Sequence, residues 1–136
     1  MLFVDTGVWY AAMDRADAHH ARARAVLTDA GPLVTTDYVF VETWRLAAHR
    51  LGYDVAERFW QSLRAGRARL EPVGAIDREA AWSIGRRYED QSFSLVDRTS
   101  FAVLERLGLR HVAAFDSDFA IYRFGRDAAG SFTIVR

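Results

Sequence analysis

A three-layer α/β/α sandwich around a mostly parallel sheet is what this sequence predicts, on three observations. The chain opens on a short apolar stretch, Leu2-Phe3-Val4, rich in strand formers and followed at once by Asp5. Short strand-like runs then alternate with helical stretches, as βα units do. The length of 136 residues, 51% of them hydrophobic, suits one domain with a substantial core. A strand so early in an α/β chain is expected near the sheet centre. Asp5 would then stand at the carboxyl end of the strands, where open α/β folds place their ligands.

The elements follow in order. After the first strand, Gly7 to Ala12 reads as a short helical turn. A polar stretch from Asp14 to Asp17 precedes a helix through Thr28, with Ala18, Ala21, Ala25 and either Val26 or Leu27 as its small-residue face; Gly31-Pro32 stops it. Leu33-Val34-Thr35 is a second strand. Thr36 or Asp37 can cap a helix reaching about Arg50. Gly52 punctuates, and Tyr53 to Leu63 is a further helix with Phe59, Trp60 and Leu63 on its apolar side. Leu70 and Val73 bracket a weak third strand, which Pro72 assigns to an edge.

Asp77 to Arg87 is helical, with Ile76, Ala80, Ile84 and Tyr88 spaced for one face. After an irregular stretch, a helix runs from Val96 to Leu107, with Val96, Ala102 or Val103, and Leu107 inward and Gly108 as its C-cap. His111 to Phe115 is a fourth strand, and Asp116-Ser117-Asp118 turns off its end. Phe119, Ile121 and Tyr122 form a short helical piece, and Ser131 to Val135 a last strand. No linker or repeat divides the chain, so residues 1–136 read as a single domain.

Composition narrows the chemistry. Basic and acidic residues number 18 each, so no global field favours or opposes nucleic acid. Every basic residue is arginine, which suits bidentate phosphate contacts, although compositional drift explains it as readily. Cysteine is absent, which excludes disulfides, thiolate metal sites and cysteine nucleophiles. No apolar run spans a bilayer and no signal-peptide pattern opens the chain, so a cytoplasmic location is expected.

Four acids could meet in one crevice. Asp5 and Asp116 follow strands whose ends are equivalent if those strands are neighbours. Glu42 shares a helix face with Val39 and Leu46, an uncommon place for a carboxylate that is neither paired nor metal-bound. Arg45, at i+3, offers it a plain ion pair instead. Asp97 sits in the first turn of its helix, where a capping acid contributes less than about 1 kcal/mol. Thr6 and Ser100 set oxygen donors beside these acids, and Asp118 is a fifth carboxylate close by. Such an oxygen-rich set suits Mg²⁺ or Mn²⁺, which can hold a phosphodiester, activate water and stabilise a leaving oxygen. The histidines lack metal-ligand spacing.

Arg86, Arg87 and Arg98 flank the segment before Asp97 and are the better placed arginines for a phosphate backbone. Trp9 and Tyr10, just beyond the acid-bearing strand end, can stack on a base or pack in the core. Trp44, Trp60 and Trp82 follow apolar helical periodicity and read as core or interface.

Taken in their order, three segments resemble the PIN domain, and within it the small VapC-like ribonuclease toxins of toxin–antitoxin pairs. FVDTGVWYAAMDRADAHHARA resembles the family's opening strand, Asp-Thr and helix, matching Asp5 and Thr6. TTDYVFVETWRLA matches Glu42, and SLVDRTSFAVLERLGLRHVAAFDSDF matches Asp97, Ser100, Asp116 and Asp118. The resemblance implies a parallel sheet and Mg²⁺ or Mn²⁺ held by Asp5, Glu42, Asp97 and Asp116. It also implies hydrolysis of RNA phosphodiesters, a homodimer, and a cognate antitoxin that blocks the site, within an assembly that can be larger. The sequence departs from the family at Gly7, where asparagine or serine is common, and at Ser117, where a basic residue often stands. Neither change removes a candidate ligand.

Three rivals stand beside this expectation. An aspartyl-phosphate phosphatase would need an Asp-x-Asp after the first strand and a lysine; position 7 is glycine and lysine is missing. A flap-type DNA nuclease would carry more acids and helical insertions. A catalytically silent RNA- or partner-binding protein would retain the acidic pocket without cleavage.

Overall fold

The computed structural model describes all 136 residues. Its elements are β1 (Leu2–Val4), α1 (Thr6–Met13), α2 (His20–Asp29), β2 (Leu33–Thr36), α3 (Asp37–Arg50), α4 (Tyr53–Arg64), β3 (Arg69–Glu71), α5 (Ala75–Arg87), α6 (Leu95–Leu107), β4 (His111–Ala113), α7 (Asp118–Ile121) and β5 (Thr133–Val135), with a 3₁₀ turn at Arg126–Ala128.

The five strands form one sheet in the order β3-β2-β1-β4-β5. Every pair is parallel, with Phe3 opposite Val34 on one side and Val112 on the other. β1 is therefore central, and β3, whose end meets Pro72, is an edge. Right-handed crossovers decide which face each helix covers. The chain steps one way from β1 to β2 to β3, laying α1 to α4 on one face. It then crosses back to β4 and β5, which puts α5, α6 and α7 on the other. The contacts follow: α1 packs on α2 and α3, α3 on α4, and α5 on α6.

The core lies on both faces of the central strands. Phe3, Val4, Val34 and Val112 are fully buried. On the α6 side, Phe101 stacks on Tyr122 at 4.4 Å and meets Phe119 edge-on at 5.0 Å. Offset and edge-to-face pairs of this kind add to simple area burial.

Local chemistry sets the helix ends nearest the site. Thr36 Oγ1 accepts from the Val39 amide at 3.1 Å and starts α3. Ser94 Oγ accepts from the Asp97 amide at 3.0 Å and starts α6. Gly108, at φ 68°, ends α6 in a conformation that suits glycine.

Several expected faces differ. In α2 the buried residues are Ala23, Val26 and Leu27, whereas Ala18 and Ala21 are exposed. The helix begins only at His20, and the bulky Val26-Leu27 pair sets its phase, with Ala23 one turn earlier. Trp60 is 43% exposed, and Ala56 takes the inward place beside Phe59 and Leu63. Ile76 is 80% exposed because Asp77 turns inward to Arg106 instead. Ile121 and Trp82 are also at the surface, and Leu107 is only half-buried.

Candidate active site

The carboxyl ends of β1 and β4 are adjacent, and this adjacency assembles the site. Asp5 leaves β1 as the N-cap of α1, with its amide bonded across to the Ala113 carbonyl at 3.1 Å. A two-step relay fixes the strand end just before it. Thr35 Oγ1 donates to the Val4 carbonyl at 2.9 Å, and Trp9 Nε1 donates to Thr35 Oγ1 at 3.4 Å. Trp9 is thus core-facing, and its indole spends its donor on the scaffold beneath Asp5.

The Asp5 side chain is 4% exposed and makes no capping bond. Burial first, then the charges of Asp116, Asp97 and, last, Glu42 push its pKa up to about 8, against a small lowering by the Thr6 amide. An acid this buried, ringed by other acids and facing no cation, is unusual in a core. Perturbation of this kind is characteristic of functional carboxylates.

Asp97 lies in the first turn of α6 and does form a capping box with Ser94, so its capping role is real. Its carboxyl nonetheless also faces Asp118. Burial first, then the side-chain contact with Asp118 and the charges of Asp118 and Asp116, hold Asp97 well above the ordinary carboxylate range. Asp116 opens to solvent at the rim, but desolvation on its cleft side raises it as well; Asp118 pushes it up by charge while donating its amide to Asp116 Oδ1 at 3.0 Å. The loop carrying Asp116 is steadied by His19, which stacks on Phe115 at 4.5 Å. Arg136 is the cation that lowers Asp116, and its carbonyl accepts from Arg22.

Glu42 stands on α3 at the rim, half-buried, with the fully buried Val39 on the same face. Arg45 forms no ion pair with it. The four acids and Asp118 therefore share one electrostatic neighbourhood. No three of them converge on a single coordination point.

Two hydroxyls complete the picture. Thr6 Oγ1 and Ser100 Oγ are buried without any hydrogen-bond partner. Buried polar atoms are seldom left so, and a pair of them beside clustered acids fits a bound ion or its waters. The donor set is all oxygen, as Mg²⁺ and Mn²⁺ prefer.

The three arginines expected near the cleft are engaged elsewhere. Arg98 lies over Gly85 and donates to the Ala81 carbonyl at 3.4 Å, so it locks α6 to α5; a Cβ at Gly85 would stand 2.0 Å from its Nη1. Arg86 pairs with Glu89 at 3.2 Å. Arg87 turns to Tyr122. Beside Glu42, by contrast, a groove of about 820 Å³ carries Arg45, which the sequence offered to Glu42 as an ion pair, and His49.

Comparison with known proteins agrees with this geometry. The PIN domain profile matches residues 2–125. The chain is 36% identical over 125 residues to the 23S rRNA-specific endonuclease VapC20 of Mycobacterium tuberculosis, covering 91% of this chain and 95% of that one. It is 28% identical over 116 residues to Ribonuclease VapC26 of the same organism, with 85% and 86% covered. The crystal structure of VapC20, described as a Sarcin-Ricin loop cleaving toxin, superposes with a TM-score of 0.83 at 34% identity, covering 88% of this chain and 93% of that one. A toxin–antitoxin complex from Klebsiella pneumoniae shares the fold, with a TM-score of 0.70 at 15% identity over 100% and 97% of the two chains. A central parallel strand ending in a buried aspartate, the acids gathered around it and a profile match over nearly the whole chain lead to one conclusion: this protein belongs to the PIN domain family.

Proposed function

We propose that this chain is an endoribonuclease toxin that hydrolyses RNA phosphodiester bonds at the cleft around Asp5, with a divalent metal ion, and is held inactive by a cognate antitoxin. The observation that carries the reading is Asp5 itself, buried, uncompensated by any cation and raised by the acids around it. Its neighbourhood suits a cation followed by a phosphate better than it suits any resident partner. The likeness to VapC20 over 91% of the chain supports 23S rRNA as the first substrate to try.

Asp5, Glu42, Asp97 and Asp116 would hold the ion, Mg²⁺ or Mn²⁺. When bound, it supplies Lewis-acid stabilisation of the charge that builds on the phosphate and its leaving oxygen. The chain's own residues do the rest. Thr6 and Ser100 offer unspent hydroxyls to a water or a phosphate oxygen. Asp97, held well above the ordinary carboxylate range beside Asp118, would offer a proton near the reacting phosphate. The buried floor of Phe3 and Val4 excludes bulk water and strengthens each of these interactions.

Partners are part of the proposal. Exposed Trp60, Tyr53, Ile76 and Trp82 are large apolar side chains at the surface, as interfaces favour, which supports a homodimer and an antitoxin contact. No helix is long and apolar enough to cross a membrane, in keeping with action on RNA in the cytoplasm.

The test is cleavage of RNA by purified protein with Mg²⁺ or Mn²⁺ against chelator, alongside Asp5→Asn. Metal-dependent cleavage that the variant loses while keeping its fold is the expected result. Cleavage unchanged in the variant, or undiminished by chelator, would remove the acidic cleft from the chemistry.

A further inference from the structure

The groove of about 820 Å³ beside the acids runs along α3 and the start of α6. Thr6 and Glu42 line it, and both also border Asp5, so one continuous surface leads from the acidic cleft into the groove. Its walls are mainly apolar, with Val41, Leu46 and Val96, and Tyr38 contributes a phenol ring. Beyond Glu42, α3 presents Arg45 and His49 on the same face at successive turns. Both are exposed, and neither forms an ion pair.

We propose that this groove is a nucleotide subsite: the base next to the scissile phosphate lies against Val41, Leu46, Val96 and Tyr38, and Arg45 and His49 hold the following backbone phosphate. The inference rests on the endoribonuclease reading. An apolar wall with a cationic lip matches a flat base attached to a phosphate, and the acids next door set the direction. A strand whose scissile phosphate sits among carboxylates is held there by metal, and it needs fixed cations where the carboxylates end. Glu42 and Arg45 supply that change of sign along one helix, Arg45 lying about 5 Å farther along the axis, and His49, about 10 Å along, adds a ring nitrogen that can donate to a phosphate oxygen. The volume falls within the roughly 300–1,000 Å³ usual for ligand sites. The other cation-rich cavity, with Arg15, Arg24, Arg58 and Arg67, shares no residue with the acid cluster and has no such continuity.

The subsite makes selection at one position of the RNA a property of α3. Base–aromatic and base–apolar contacts tolerate sequence but reward the presence of a base, while the arginine adds salt-sensitive affinity.

The test uses the purified chain and a single-stranded RNA spanning a mapped cleavage site, in a series where one abasic sugar is moved position by position. In the unaltered protein, one position beside the scissile bond is expected to weaken binding about tenfold when abasic. Val41→Trp, which fills the groove from an exposed position, should erase the difference between that abasic RNA and the intact one. Arg45→Ala with His49→Ala should raise KM about tenfold and leave kcat within about twofold, because ground state and transition state lose the same contact. The same pair should lower the salt slope of binding by about 0.7 for each phosphate released. Asp5→Asn in the same assay separates the two levels of the argument. No cleavage by the unaltered protein, or full cleavage by Asp5→Asn, overturns the endoribonuclease reading and the subsite with it. Cleavage that depends on Asp5 but shows a flat abasic profile, with KM and salt slope unmoved in the groove variants, overturns the subsite alone and leaves the groove to a protein partner.

Discussion

Acidic side chains gather twice along the carboxyl edge of this sheet, and the two gatherings are opposites. At the flank, Glu71 ends β3 and Asp77 begins α5, and both are buried. Arg106 reaches between them from α6, donating to Asp77 at 2.8 and 3.0 Å and to Glu71 at 3.1 Å; Arg69 adds a bond to Glu71 at 2.8 Å. Arg106 holds the Asp77 carboxyl below its ordinary range. At the centre, Asp5 is just as buried, Asp97 is half-buried and Asp116 opens to solvent, yet every shift there is upward, and the one nearby cation is Arg136 at the edge. Burial alone therefore does not mark a functional acid. What distinguishes the central cluster is buried charge left without its partner, which a structural cluster in the same fold resolves with a bidentate arginine.

The contrast can be broken at either end. The largest effect expected is on activity: Asp5→Asn should lower the RNA cleavage rate by about a thousandfold or more, since it removes a charge on which the metal and the transition state depend. Next comes Arg106→Ala, which should destabilise the fold by about 2–3 kcal/mol in urea titrations at neutral pH. Removing one partner of a buried pair usually costs about 3–5 kcal/mol, and the partial exposure of Arg106 tempers that. A loss below about 0.5 kcal/mol would show that the flank network contributes specificity, not stability.

The pH dependence should run in opposite directions. Without metal, folded Asp5 keeps a proton that the unfolded chain releases above 3.8, so stability is full in acid and falls as pH climbs from there to about 8. Asp5→Asn should therefore melt higher than the unaltered protein at pH 8 and at the same temperature below pH 4. Asp77, lowered, contributes stability above 3.8 that is lost as pH falls through its depressed value. An Asp5→Asn that melts lower at pH 8 would mean that the central acids are not strained. Adding Mn²⁺ at a hundred times its dissociation constant should stabilise the unaltered protein by about 2.7 kcal/mol, seen as a rise in melting temperature that Asp5→Asn lacks. The smallest effect expected is that of Asp118→Asn, which removes only the carboxylate that faces Asp97; about a tenfold loss of kcat is anticipated, read from single-turnover cleavage.

Much of this was legible in the sequence, for particular reasons. Apolar runs three residues long between helical stretches located the strands, and Pro72 located an edge. Glu42 stood out because a carboxylate on an apolar helix face needs an explanation. The faces of α2 and α5 were misread where a local pattern had two phases and a distant partner chose between them. Asp77 is the clear case: its inward position depends on Arg106, which lies 29 residues away. Arg98 was placed at the cleft by its neighbours in sequence, but Gly85 leaves space for it on α5 instead. The capping role of Asp97 was legible locally, but nothing local could have revealed that it also faces Asp118, or that Thr6 and Ser100 keep unspent hydroxyls.

What the sequence by itself determined is the alternation of strands and helices and the residue types available for chemistry, because periodicity and capping act over a few residues. Which acids remain uncompensated was decided only by the tertiary structure. Strand order sets the ends of β1 and β4 side by side and sends Arg106 to β3, and the electrostatics of a carboxylate depends on what lies near it in space, not in the chain.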